Sequence, residues 1–237
     1  LLWPIAFEPP KFVAPTAPLL EGVLQPQSSL ENLIAIPTGS GPEDVAFDAQ
    51  GVMYTGLANG QIVRTTPRSN RIENWVNTGG RPLGLTFDKN GNLLVADAKK
   101  GLLSITTRGE IEVLTSTFNG VPFKFIDDLA VAESGVIYFV DSSTEYGIED
   151  DYILRSFLDG RPLGRLLAYH PDSKKTELIR DQLFFPNGIT LSHDKSAVLV
   201  SEMMRYRILR IEISADNKGD TTVFADNLPG FPNNITH

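Results

Sequence analysis

The sequence predicts an all-β fold built from repeated four-stranded units, a β-propeller. Three observations lead there. Short apolar segments of four to six residues, rich in β-branched and aromatic side chains, recur between turn signals. They group in fours with a period of about 45 residues, the size of one propeller blade. No segment sustains the 3.6-residue period of an amphipathic helix.

The copies can be read in order. The first is "GPEDVAFDAQGVMYTGLANGQIVRTTP" (41–67), the second "RPLGLTFDKNGNLLVADAKKGLLSITT" (81–107). The third is "FIDDLAVAESGVIYFVDSS" (125–143), continued by "GRLLAYHPDSKKTELIR" (164–180). The fourth is "FPNGITLSHDKSAVLVSEMMRYRILRIEI" (185–213), and "FPNNITH" (231–237) begins a fifth. Each has a first strand ("DVAFD", "GLTFD", "DLAVA", "GITLS"), a turn, a second strand ("VMYTG", "LLVAD", "VIYFVD", "AVLVSE"), a third, and a closing apolar stretch ("IENWV", "IEVLT", "TELIR", "TTVFA"). The starts at Pro42, Pro82, Ile126, Pro186 and Pro232 are 40, 44, 60 and 46 residues apart. The long interval holds an insertion, 143–162, expected as a loop over one face. Residues 1–40 are Pro-rich and read as an extended arm, with a short strand at "ENLIAI" (31–36), ahead of a propeller over 41–237 that is incomplete at its C-terminal side. Four blades and the first strand of another imply a ring of five to seven blades.

Composition narrows the function. With 237 residues and a net charge of −8, and no basic stripe, nucleic acid is not the expected partner; a small molecule is. There is no cysteine, which excludes disulfides, thiolate metal sites and cysteine nucleophiles. Only three histidines occur, His170, His193 and His237, too few for a histidine-rich zinc site. His170 and His193 lie in turns and are expected in solvent. "DSS" at 141–143 lacks the G-x-S-x-G frame of a serine nucleophile elbow. No run of about 20 apolar residues is present. The start, "LLWPIAF", reads either as the tail of a removed signal or anchor helix or as a boundary within the arm. An extracytoplasmic or membrane-anchored location, anchored through a segment preceding residue 1, is the expectation, with a cytoplasmic one left open.

One repeat position carries chemistry. The residue after each start is Glu43, Leu83, Asp127, Asn187 or Asn233. The innermost strand of every blade lines the central channel, so these five converge on one ring. Four are oxygen donors, two carboxylates and two amides. A hard cation asks for such a set, and Ca²⁺ suits it better than the more strictly octahedral Mg²⁺, though another divalent ion would fit the same chemistry. Singly, each of these residues is an ordinary turn residue; it is their recurrence that points to a metal site of Glu43, Asp127, Asn187 and Asn233. The second strands end on Asp97, Asp141 and Glu202 at the same face. These, with Asp128, are expected to orient the ligands; the competing reading is that they cap turn amides.

Several stretches together resemble one family: "GPEDVAFD", "GRPLGLTFDKNGNLLVADAKKGLL", "IDDLAVAESGVIYFVDSS", "GRLLAYHPDSKKTELIRDQLFFPNGITLS" and "LPGFPNNI", with "APLLEGVLQPQSSL" ahead of them. They are similar to the strictosidine-synthase-like family, above all to its adipocyte plasma-membrane-associated protein branch and bacterial relatives. The resemblance covers nearly all of 15–237 and implies a six-bladed propeller related to gluconolactonase and paraoxonase enzymes. Those hydrolases hold a catalytic Ca²⁺ in the channel with one Glu, Asn residues and an Asp. By motif Glu43 matches their Glu and Asn187 an Asn. Asn233 falls where an Asp is usual, and Asp127 falls where the family's "N-D-L" carries Asn. The implied activity is calcium-dependent hydrolysis of esters or lactones, of arylesterase or lactonase type, with Asp127 as general base or nucleophile and Asp97 or Asp141 as alternatives for the base. Two other activities are carried beside it: a non-catalytic binding or scaffold propeller with a structural metal, and strictosidine-synthase-type condensation of an amine with an aldehyde, which uses a Glu from a region beyond residue 237.

Overall fold

In the computed structural model, residues 10–27, 31, 33–66, 69, 71–149 and 151–236 are described. Four antiparallel four-stranded sheets follow one another along the chain, each in sequential order. Blade 1 is β1 (Val45–Phe47), β2 (Met53–Gly56), β3 (Gln61–Thr65) and β4 (Glu73–Asn77). Blade 2 is β5 (Pro82–Phe87), β6 (Leu93–Asp97), β7 (Gly101–Ile105) and β8 (Ile111–Thr115). A small hairpin, β9 (Thr117–Phe118) and β10 (Val121–Pro122), leads into blade 3: β11 (Ile126–Val131), β12 (Ile137–Asp141), β13 (Gly164–His170) and β14 (Lys175–Leu183). Blade 4 is β15 (Pro186–Leu191), β16 (Ala197–Glu202), β17 (Arg207–Glu212) and β18 (Thr221–Ala225). The repeat read from the sequence is thus the blade, strand for strand.

Blades stack face to face, so their middle strands are covered on both sides. β6 and β12 are buried at every residue, and their sequences, "LLVAD" and "IYFVD", are continuous apolar runs closed by an acid. Three core clusters fill the gaps between neighbours: Ile62, Leu93 and Leu103 between blades 1 and 2, Leu102, Phe139 and Leu167 between 2 and 3, and Val140, Leu166 and Val200 between 3 and 4. The outer strands are open on one side, as in β8, where the first three residues are exposed.

The sequence reading missed one helix. Inside the 143–162 insertion, α1 (Tyr152–Asp159) forms a short helix closed by Gly160 in the left-handed conformation (φ 64°), whose N–H bonds Ser156 O. Eight residues are too few to be stable alone. Contacts hold it instead: Phe157 packs edge-on against Phe231 at 5.1 Å, and Phe231 stacks on Tyr206 at 4.9 Å. Residues 33–36 of the expected strand in the arm are not a strand, while Asn32, the "LLWPIAF" start and His237 lie outside the described residues.

Residues 232–235 take the inner-strand place beside blade 4 without a partner strand of their own. A Cβ on Gly188 would meet Asn233 O at 2.5 Å and Ile235 N at 2.6 Å. A Cβ on Gly84 of blade 2 would meet Asp128 of blade 3 in the same way, with Oδ1 at 2.4 Å. Glycine at this position is what lets the following inner strand approach.

Candidate metal centre

A β-bulge builds the centre in each blade from 2 to 4. Ile126 pairs with Asp141 and Leu129 with Phe139, so Asp127 and Asp128 together oppose the single residue Val140. Blade 4 does the same with Asn187 and Gly188 between Pro186 and Ile189, and blade 2 with Leu83 and Gly84 between Pro82 and Leu85. The extra residue bends the strand and re-aims its side chains. A Pro or Ile start followed by two non-β residues is the local cause: Asp, Asn and Gly fit the irregular backbone that Val or Ile would resist.

Asp127 is buried, and its Oδ2 accepts from Ser142 Oγ at 3.0 Å and from Asn187 Nδ2 at 3.0 Å. The carboxylate is acceptor-only when ionised, so the amide must turn Nδ2 toward it. Asn187 Oδ1 is then left buried with no hydrogen-bond partner among the described residues, on a side chain only 8% exposed. Burial raises the Asp127 carboxyl well above the ordinary value, and the charges of Glu43 and Asp128 add to this. Glu43 is also raised, by burial first and then by Asp44, against the opposing effects of Asn234 and Arg81. Asp127 thus feels the charge of Glu43, while Arg81, whose NH1 donates to the carbonyls of Gly41 and Pro82, draws both carboxyls back; Arg165 and Arg207 are paired with Asp141 and Glu202.

The other expected residues separate into groups. Asn233 and Asn234 are both exposed, and it is Asn234 whose Nδ2 donates to the main-chain carbonyl of Glu43 at 3.4 Å. The sequence reading chose the first member of the pair "NN"; the second reaches the ring. Leu83 turns into an apolar cluster with Ala98, Phe125 and Phe185 beside the ring, over which Ile148, Met203 and Met204 pack.

Asp97, Asp141 and Glu202 are not partners of the ring. Asp97 Oδ1 accepts from the N–H groups of Arg81, Lys99 and Lys100, and its Oδ2 from Thr78 Oγ1. Asp141 Oδ1 accepts from Phe125 N and its Oδ2 from Arg165. Glu202 Oε1 accepts from Phe184 N and its Oε2 from Arg207 Nε. All three tie the end of the second strand to the turn before the inner strand, which is the turn-capping alternative. That removes Asp97 and Asp141 as candidate bases.

Asp128, expected to orient the ligands, instead shares a role with Asp44, which the sequence reading did not name. Asp44 Oδ2 accepts from Leu85 N at 2.8 Å and Asp128 Oδ2 from Ile189 N at 2.9 Å, each linking its blade to the next. The paired acids "ED" and "DD" at two blade starts were the visible signal. His193 is exposed as expected, and His170 Nε2 lies 3.0 Å from Glu177 Oε2 at the blade surface.

The sequence and the geometry now meet known proteins. Residues 127–216 match the family model for strictosidine synthase, and 22–65 the model for the N-terminal part of strictosidine synthase-like proteins; together they cover more than half of the chain. The chain belongs to the strictosidine synthase-like family. Protein strictosidine synthase-like 4 of Arabidopsis thaliana is 38% identical over 202 residues, 83% of this chain and 53% of that protein. The adipocyte plasma membrane-associated protein of Bos taurus is 37% identical over 252 residues, 98% of this chain and 60% of that protein. The chain thus spans little more than half the length of these relatives. Among solved structures, a gluconolactonase from Xanthomonas campestris superposes with a TM-score of 0.69 at 16% identity, over 84% of this chain and 67% of that one. Regucalcin from Agrobacterium tumefaciens, a calcium-binding protein, gives 0.59 at 17% identity, over 77% and 58%. At such identities the likeness establishes the fold, a propeller of the gluconolactonase kind. Among the described residues no helix is long and apolar enough to cross a membrane.

The residues fit a hard divalent cation. Among the described residues no three acidic or imidazole side chains converge as a ligand cluster, so a cation here would need amide oxygens as well. The buried Asn187 Oδ1 is such an oxygen, and the carboxylates of Asp127 and Glu43, both raised chiefly by burial, would supply the countercharge.

Proposed function

We propose that this chain carries the metal centre of a calcium-dependent hydrolase of esters or lactones, with the cation on the channel axis. The observation that carries the proposal is the unpartnered, buried Oδ1 of Asn187 beside Asp127. A buried amide oxygen without a donor is costly unless something electropositive meets it. Glu43, Asp127, Asn187 and Asn234 are the residues that would hold the ion. Bound there, a divalent cation supplies Lewis-acid polarisation of a carbonyl oxygen.

The chain's own groups do the rest. Asp127 receives both of its hydrogen bonds on Oδ2, which leaves Oδ1 to take a proton from an attacking water. Leu83, Phe125 and Phe185 wall one side of the ring and keep bulk water from it. The insertion 143–162 joins β12 to β13 on the face where the inner strands begin, and Ile148 from it packs on that wall, which puts substrate selection in this loop.

The test combines metal and chemistry. Phenyl acetate and a simple lactone should be hydrolysed with added Ca²⁺ and not in excess chelator. Glu43→Gln should weaken Ca²⁺ binding and turnover together. Hydrolysis unaffected by both treatments would overturn the proposal. Binding without any turnover would leave a propeller whose cation is structural.

A further inference from the structure

The metal centre contains a buried hydroxyl that the backbone does not need. Just after each second strand, one residue donates its N–H to a carbonyl ahead of the inner strand of its own blade: Ala58, two positions beyond β2, to Ser40, and Ala98, Ser142 and Met203, each directly after its strand, to Arg81, Phe125 and Phe185. Alanine and methionine serve there as well as serine, so the fold places no demand on the side chain. Only blade 3 has a hydroxyl at this position.

That hydroxyl is 1% exposed and lies between two blades. Ser142 Oγ is 3.0 Å from Asp127 Oδ2 in blade 3 and 2.5 Å from Pro186 O in blade 4. Its single proton is shared between these acceptors. Pro186 O belongs to the peptide that leads into Asn187, and Asp127 Oδ2 is the atom that receives Asn187 Nδ2. The serine therefore touches both supports of the Asn187 amide, its backbone and the acceptor of its NH₂ group.

We infer that Ser142 is a positioning residue of the metal centre, whose hydroxyl locks Asp127 and the Pro186–Asn187 peptide in the one arrangement that turns Asn187 Oδ1 to the channel axis. The inference rests on the reading of the ring as a cation site. Asp127 without the serine keeps a single donor, the Asn187 amide, and the two can rotate together. A ligand oxygen free to turn costs cation affinity, because the order has to be restored on binding.

Calorimetric titration of the metal-stripped whole protein with Ca²⁺ alone tests this. Ser142→Ala should weaken Ca²⁺ affinity about tenfold or more, the usual effect of losing a group that orients a ligand. Ser142→Thr keeps the hydroxyl and should bind close to the unsubstituted protein. In an Asn187→Ala background, where no amide remains to orient, Ser142→Ala should add little. An unchanged affinity in Ser142→Ala, with only a lower unfolding midpoint in chelator, overturns the inference and leaves the metal centre standing. Full additivity with Asn187→Ala also overturns it. An unsubstituted protein that binds no Ca²⁺ overturns the cation site itself and the inference with it. Should Ser142→Ala not fold, Ser142→Cys preserves the volume with a much weaker donor and is expected to lose affinity in the same sense.

Discussion

Asp141 shows how one residue type can be read two ways. Its carboxylate is fully buried, pushed up by burial and drawn back by Arg165, whose guanidinium also lies over the rings of Phe118 and Phe123. Removing the acid leaves a cation among aromatic and apolar groups with no anion to meet it. Asp141→Ala should therefore cost about 3–5 kcal/mol, read from denaturant unfolding. The sequence places Asp141 at the end of a second strand, and that is right. It cannot say that Arg165, 24 positions away, is the adjacent third-strand residue in register with it. The same limit explains Asn233 and Asn234. The repeat position selects the first amide, but it is the neighbour that meets Glu43, in a segment that does not pair as a regular strand. Asn187 and Asp127 were legible because a repeat compares equivalent positions. Ser142 was not, since "DSS" carries no nucleophile signal and its partner Pro186 is brought up by the adjoining blade.

Strands were legible because each has its own turn signals and apolar run, and the blade repeats them four times. The helix in the insertion had no such redundancy, and its stability lies in side chains that meet through the fold. Asp159 is the anchor at its end: Arg161 Nε donates to Oδ1 at 2.5 Å, and Arg161 NH2 and the Tyr146 hydroxyl donate to Oδ2 at 2.7 Å each. Burial alone would raise this carboxyl, but the bonds from Arg161 and Tyr146 outweigh it and hold it below its ordinary value. A lowered carboxylate stabilises the fold above its unfolded-state pKa of about 3.9, and that contribution is lost as the pH falls through the still lower folded value. Amide exchange in 143–162 should hence stay protected at neutral pH and speed up in acid before the blades open. Asp159→Asn should exchange faster at neutral pH and lose most of that acid dependence. Equal protection in the two proteins at neutral pH would show that the helix is held by Phe157 alone.

Across the molecule, the inner strands touch in sequence: β1 meets β5, β5 meets β11, and β11 meets β15. The ring residues come from blades 1, 3 and 4 and from the segment after blade 4, so a cation among them would join parts that the strand-to-strand contacts link only through intermediates. Such an ion binds the assembled ring and not the unfolded chain, where the ligands are far apart in sequence. Mass action then sets the size of the effect. At a free Ca²⁺ concentration about 100 times Kd, binding adds about 2.7 kcal/mol to unfolding. For a chain of this length, that corresponds to a rise in Tm of roughly 5–10 °C. The comparison is between excess Ca²⁺ and excess chelator in a thermal scan at fixed ionic strength, so that screening of the net −8 charge does not mimic binding. Mg²⁺ at the same concentration should give a smaller rise, because the fixed amide and carboxylate oxygens suit the larger ion. In Asn187→Ala the difference between the Ca²⁺ and chelator midpoints should largely disappear, while the midpoint in chelator also falls somewhat, since the substitution removes the buried Nδ2 bond to Asp127 as well as the unpartnered Oδ1. Identical midpoints in Ca²⁺ and in chelator for the unsubstituted protein would mean that no ion ties the blades together.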